Sequence, residues 1–169
     1  FKDYWANHCK MKNYSLVHEV VEGGEERFYS VRNAVEKLPK QGVALVHDAV
    51  RPLVSKETVK RVLSMAQTDG AAVPVIPVSD SVRMVNEVAN YPVDRSKLFL
   101  VQTPQGFRNE LLKEAYRQPF SPEFTDDATV VEKAGHMIHL VEGNRENIKI
   151  TQPSDLKLAE FFLELQQGK

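Results

Sequence analysis

Strand-like and helix-like stretches alternate along this chain of 169 residues. That alternation predicts an α/β domain: a Rossmann-like, mostly parallel sheet with helices on both faces and a protruding β-arm. Short apolar runs such as "VALV" (Val43 to Val46) read as strands buried on both faces. Stretches with apolar residues at helical spacing lie between them. The composition, 42% hydrophobic and 27% charged, is that of one globular domain with a core of its own.

In chain order, "FKDYWANHCK" reads as the tail of a helix and "SLVHEVV" as a short strand. "RFYSVRNAVEKL" reads as a helix with Phe28, Val31, Ala34, Val35 and Leu38 on one face. After "VALV", Ser55 is an N-cap for a helix carrying Val59, Val62, Leu63 and Ala66, closed by Gly70. "AAVPVIPV" is a strand whose Pro74 and Pro77 cannot donate ladder hydrogen bonds, which predicts irregular pairing or a place near an edge. "SVRMVNEV" and "YPVDRSKLFLV" predict a hairpin leaving the main body at about 79–98. "RNELLKEAYRQ" and "DDATVVEKAG" read as short helices, the second capped by Thr125 and closed at Gly135. "MIHLVEG" and "IKI" read as late strands, and "PSDLKLAEFFLELQQ" as a terminal helix with Pro153 in its first turn.

A formal net charge of −1 gives no electrostatic case for binding long nucleic acid or a membrane surface, so the anions it handles are expected to be small. Cys9 is the single cysteine and no apolar run approaches the ~20 residues that span a bilayer, which predicts a soluble cytoplasmic protein. The five histidines are scattered without metal-ligand spacing. Neither a nucleophile elbow nor a Walker loop is present. The first residues, "FKDYWANHCKMK", have charge and aromatics but no continuous apolar core, and read as the middle of a protein rather than a signal peptide.

Ligands of open parallel sheets gather outside the carboxyl ends of the strands, where "HDAVRP" falls. Asp48 there can bind a hard divalent cation and Arg51 can fork onto phosphate. An acid that caps a turn and pairs with its neighbouring base gives the same pattern. In "VEGGEERFYS", Gly23 and Gly24 let backbone amides approach an anion or a base edge, and they equally suit a plain turn into a helix. "QTPQGF" and "FTDDAT" are polar clusters that each precede a helix. Lys149, between Ile148 and Ile150, faces opposite to them and points either into a polar cleft or to solvent. "PKQ" (Pro39 to Gln41) ends a helix and reads as a surface loop.

The ordered set "VEGGEERFYSV", "ALVHDAVRP", "VPVIPVSDSVR", "VDRSKLFLVQTPQGF", "TDDATVVEKAG" and "VEGNRENIKITQPSDLKLAE" closely resembles the 2-C-methyl-D-erythritol 4-phosphate cytidylyltransferases, from about Val21 onward. The resemblance implies transfer of CMP from CTP to that sugar-alcohol phosphate, with release of pyrophosphate, in non-mevalonate isoprenoid biosynthesis. It implies a magnesium ion held by Asp48, with Asp48, Ala49 and Arg51 beside the nucleotide. Gly24, Glu25 and Ser30 would lie by the cytosine and ribose, Glu25 standing where the family often has Asp. Ser81 and Arg95 would lie on an arm that crosses a homodimer to complete the partner's site, with Ser81 in place of a frequent Thr. Thr103 and Lys149 would finish the cleft, Lys149 against phosphate. The family also carries a glycine-rich segment, with an Arg and a Lys that grip the triphosphate, ahead of the residues that begin at Phe1. On this reading residues 1–169 form a single, N-terminally incomplete nucleotidyltransferase domain, inactive when alone. A cytidylyltransferase acting on ribitol 5-phosphate shares most of these motifs, and a non-catalytic remnant serving as an interaction module is the alternative from another class.

Overall fold

The structure is a computed structural model that describes residues 2–166. The chain divides into two compact units, Phe1–Lys37 and Leu38–Lys169. The first holds helices α1 (Lys2–Met11) and α2 (Arg27–Lys37). In α2 the predicted face is recognisable, with Phe28 and Val35 buried, whereas Ala34 is exposed. The expected strand "SLVHEVV" does not form. Among the described residues no strand pairs with it, and Val17 and Val20 are exposed. Apolar character alone cannot make a strand, whose amides need a hydrogen-bonded neighbour.

The second unit runs β1 (Val43–Val46), α3 (Lys56–Asp69), β2 (Ala71–Pro77), β3 (Val82–Val85), β4 (Asn90–Val93), a 3₁₀ turn (Arg95–Lys97), β5 (Phe99–Val101), β6 (Gln105–Arg108), α4 (Asn109–Ala115), α5 (Asp127–Lys133), β7 (His139–Glu142) and α6 (Pro153–Gln166). The terminal helix was expected to reach Gln167, which lies outside the described residues. Five strands make the main sheet in the order β1-β6-β2-β5, with β7 against β2. Among the described residues β3 and β4 pair only with each other, and form the arm.

The α/β class and the arm stand, but the expected predominance of parallel pairing does not. Among the described residues only β2 and β7 are parallel neighbours, while β1–β6, β2–β6 and β2–β5 are antiparallel. β6 is the reason. The segment "QTPQGF", read as a polar cluster, supplies this strand, which lies between β1 and β2 and runs against both. The half-burial of all four β1 residues also differs from the expected two-sided burial.

β2 is central rather than near an edge. It pairs with β7 along one side, and along the other with β6 at Ala71–Ala72 and then β5 at Val75–Pro77. The Pro74 carbonyl accepts from Gln102 N on the β5 side, and the Val75 carbonyl accepts from Gly143 N on the β7 side. Pro74 therefore directs its missing donor to the place where the strand changes partner, so no ladder bond is lost there.

Alternation along β2 sends Ala72 to one face and Val73 and Val75 to the other. Ala72 packs with Val62 and Ala66 of α3, and Val73 and Val75 pack with Ala128 of α5. Helices thus cover both faces. Val62 and Val73 are almost fully buried, each burial contributing about 1.5–3 kcal/mol. α3 begins at the predicted cap, where Ser55 accepts from Thr58 N, and ends at Gly70, whose φ of 95° suits a residue without Cβ. Thr58 joins Val62 and Ala66 on its inward face, whereas Leu63 is exposed. α5 is capped by Asp126 instead of Thr125, in a reciprocal box with Thr129. "PKQ" is a loop, held by Asn109 Nδ2 donating to the Pro39 and Gln41 carbonyls.

Candidate active site

β1 ends at Val46 and the chain turns at once, with Arg51 N donating to the Asp48 carbonyl at 3.0 Å. The turn puts Asp48 and Arg51 side by side. Asp48 Oδ2 lies 3.3 Å from Arg51 Nε and 3.3 Å from Lys149 Nζ. The Asp48 and Arg51 side chains are 19% and 14% exposed, whereas that of Lys149 is 48% exposed. Burial by itself pushes the Asp48 carboxyl up. The hydrogen bond and charge of Lys149, and then those of Arg51, outweigh burial and hold it below the usual carboxylate range. Among the described residues no protein donor reaches Asp48 Oδ1.

The expected strand "IKI" is not formed, since residues 148–150 pair with no neighbour in a ladder. Lys149 is placed instead by a loop anchored at both ends. Ile150 N donates to the Val50 carbonyl. Asp155, at the start of α6, accepts from Thr151 N and Gln152 N, each at 2.9 Å, and from the Thr151 hydroxyl. These bonds, the Thr151 amide first, hold the Asp155 carboxyl below its usual range.

Thr103 is buried beside the turn, before a cis peptide to Pro104. Its Oγ1 accepts from Asp48 N at 3.0 Å and lies 2.9 Å from His47 Nδ1. Behind it stand three residues that the sequence reading left unassigned: Gln102, Asn144 and Asn147. Asn147 Nδ2 donates to the Thr103 carbonyl at 2.8 Å, and the Asn147 carbonyl accepts from Arg51 Nη1 at 2.8 Å. Gln102 Nε2 donates to the Asn144 carbonyl, and its Oε1 accepts from Asn144 N. Gly143 leaves room for this, because a Cβ there would stand 2.3 Å from Gln102 Oε1. No sequence signal marked them, because their hydrogen bonds join segments distant in the chain.

Of the residues singled out, Asp48, Arg51, Thr103 and Lys149 thus share one cluster, with Ala49 exposed in the turn. Arg95 and Ser81 belong to the arm region, where Arg95 Nη1 donates to the Ser79 carbonyl. In the first unit, Gly24 N donates to Ser30 Oγ at 2.9 Å and Glu25 is exposed. Ser30 and Gly24 therefore close the turn into α2 on each other.

One carboxylate and two cations sum to a charge of +1 at the end of a sheet strand, an arrangement that suits a small multiply charged anion. The same oxygen-rich acid fits a hard divalent cation that takes its remaining ligands from phosphate and water. The fold is thus a mixed α/β domain that carries this charged cluster at the end of β1. Residues 8–165 match the family described as IspD, 2-C-methyl-D-erythritol 4-phosphate cytidylyltransferase. The chain is 46% identical over 162 residues to the 2-C-methyl-D-erythritol 4-phosphate cytidylyltransferase of Bacteroides thetaiotaomicron, covering 96% of this chain and 74% of that protein. With the protein of the same name from Porphyromonas gingivalis (strain ATCC 33277) it shares 47% over 161 residues, covering 95% and 72%. The crystal structure of the Thermus thermophilus protein of that name aligns with a TM-score of 0.74 and 42% identity, over 85% of this chain and 72% of that one. The chain belongs to the 2-C-methyl-D-erythritol 4-phosphate cytidylyltransferase family. Among the described residues no helix is long and apolar enough to cross a membrane.

Proposed function

We propose that this protein transfers CMP from CTP to 2-C-methyl-D-erythritol 4-phosphate. A phosphate oxygen of the acceptor bonds to the α-phosphorus of CTP as the bond to the β-phosphate breaks, and pyrophosphate leaves with that electron pair. The observation that carries this reading is the pairing of Asp48 with both Lys149 and Arg51 at the end of β1, in a chain of this family.

Phosphoryl-type transfer asks little covalent chemistry of the protein and much positioning and charge neutralisation. Asp48 would hold a magnesium ion through Oδ1, the oxygen without a protein donor, and the metal when bound would neutralise phosphate charge. Lys149 is the more exposed of the two cations and lies on a loop, so it can lean from Asp48 toward phosphate. Arg51 is committed to Asp48 and to the Asn147 carbonyl, and acts by holding the acid in place. Thr103 sets the turn through the Asp48 amide. We further propose that Ala49 lies beside the nucleotide. Ser81 and Arg95, on the arm, complete the site of a second copy in a homodimer.

The test is pyrophosphate release from CTP and magnesium, with 2-C-methyl-D-erythritol 4-phosphate or ribitol 5-phosphate as acceptor, using the natural full-length protein. A kcat/KM at least about 100-fold higher with the former supports the proposal. Preference for ribitol 5-phosphate, or release with neither, overturns it.

A further inference from the structure

His47 stands between two parts of the cluster without joining it. Its Nε2 lies 2.9 Å from the Arg51 carbonyl oxygen and its Nδ1 lies 2.9 Å from Thr103 Oγ1. A carbonyl can only accept, so Nε2 carries the proton, and in the neutral ring Nδ1 is then an acceptor. Thr103 Oγ1 already receives the Asp48 amide. Its own proton is therefore the one directed at Nδ1. Every bond has one direction: Asp48 N–H to Thr103 oxygen, Thr103 O–H to Nδ1, Nε2–H to the Arg51 carbonyl. The path joins both ends of the turn that carries Asp48 and Arg51 to Thr103, in the connection between β5 and β6.

We propose that His47 is a positioning residue for CMP transfer, acting through Thr103. It fixes the direction of the Thr103 hydroxyl and the pitch of the turn, so that Asp48 meets Lys149. This rests on the cytidylyl-transfer reading above. Without His47 the turn keeps its bonds to Thr103, Asn147 and Ile150 and its ion pairs, but loses the acceptor that gives the Thr103 hydroxyl its direction. His47 itself is exposed, so its replacement removes two hydrogen bonds without opening the core. Its role is separable from folding.

The test uses the natural full-length enzyme and the variants His47→Phe, His47→Asn, His47→Gln, Thr103→Val and the double variant His47→Phe with Thr103→Val. Asn can present an acceptor near the Nδ1 position, whereas Gln can reach only toward the Arg51 carbonyl. His47→Phe is expected to lower kcat about tenfold with the KM for CTP changed by less than about twofold. His47→Asn should recover most of that loss and His47→Gln little of it. In the Thr103→Val background, His47→Phe should lower kcat by less than about twofold further, because residues acting as one unit are not additive. Losses that multiply, or equal recovery by Gln and Asn, overturn the proposal. The ¹⁵N shifts of the His47 ring supply a readout that needs no turnover: the Nε2–H tautomer is expected, with the Nδ1 shift moving in Thr103→Val. The Nδ1–H tautomer overturns the proposal. An enzyme with the expected ring shifts and no pyrophosphate release would sink the activity assignment alone.

Discussion

Lys149 Nζ stands 3.3 Å from Asp48 Oδ2, a contact between the loop that leaves β1 and the loop that enters α6. Two segments distant in sequence thus share one carboxylate, and charge gathers where they meet at the end of the sheet.

The first prediction concerns that carboxylate. Asp48→Asn keeps the side chain's shape and removes the charge that Lys149 and Arg51 share. Turnover in the full-length protein should fall about 100-fold to 1000-fold, with an unchanged circular dichroism spectrum and a modest loss of stability near neutrality. Near-normal kcat with CTP and magnesium would show that Asp48 only ties the turn.

The second is a pH dependence. The Asp48 carboxyl titrates below its unfolded value in the folded chain, so the unfolded state binds its proton first as acid is added. The stabilisation is fully present above about pH 5 and is lost as pH falls through the depressed folded value. The stability difference between the parent and Asp48→Asn should therefore be constant near neutrality and shrink below about pH 4. Urea unfolding at a series of pH values measures it, and a difference that stays flat into acid would count against the ion pairs.

A third prediction addresses the arm. If Arg95 serves the partner's site, Arg95→Ala and Asp48→Asn subunits should each be nearly inactive alone. Mixed and re-equilibrated, they should regain roughly a quarter of parental activity, from heterodimers with one intact site. Demonstrated subunit exchange without recovery would place Arg95 in its own chain's site or in none.

The fourth is a matter of stability. Asn147 is fully buried and donates to the Thr103 carbonyl, while its own carbonyl receives Arg51. Asn147→Ala strips a donor from a buried acceptor and should lower unfolding free energy by about 1–3 kcal/mol. It should also lower kcat more than it raises the KM for CTP, because Thr103 loses its support while Arg51 keeps the backbone carbonyl of residue 147. A variant as stable and active as the parent would show that water replaces the amide.

Local rules made α2, α3 and α6 legible in the sequence, because spacing, Ser55, Gly70 and Pro153 all act within a turn of the residues they mark. The sheet was less legible. β6 hides in "QTPQGF", where Gln105 and Gly106 are poor strand formers. They become a strand because β1 and β2 flank them, and because Gln105 binds Asp126 and the Ala128 amide. "SLVHEVV" fails for the converse reason, a favourable pattern with no described partner. Asp48, Arg51 and Lys149 were visible as charges at apolar boundaries. His47, Gln102 and Asn147 were not, since what they do consists of hydrogen bonds between segments that sequence spacing cannot bring together.

β2 and β5 are antiparallel neighbours whose register continues to Val78 and Leu98, where the Val78 amide meets the Leu98 carbonyl. Everything between those two residues is, topologically, the inside of one hairpin loop. A two-residue turn could join Val78 to Leu98 and leave the main sheet's pairing untouched. The junction is therefore a natural graft point, at which an arm can be lengthened, exchanged or discarded while the sheet below keeps its sequence. As far as the sheet's pairing is concerned, residues 79–97 other than Ser81 and Arg95 are free to diverge at the pace of whatever they contact.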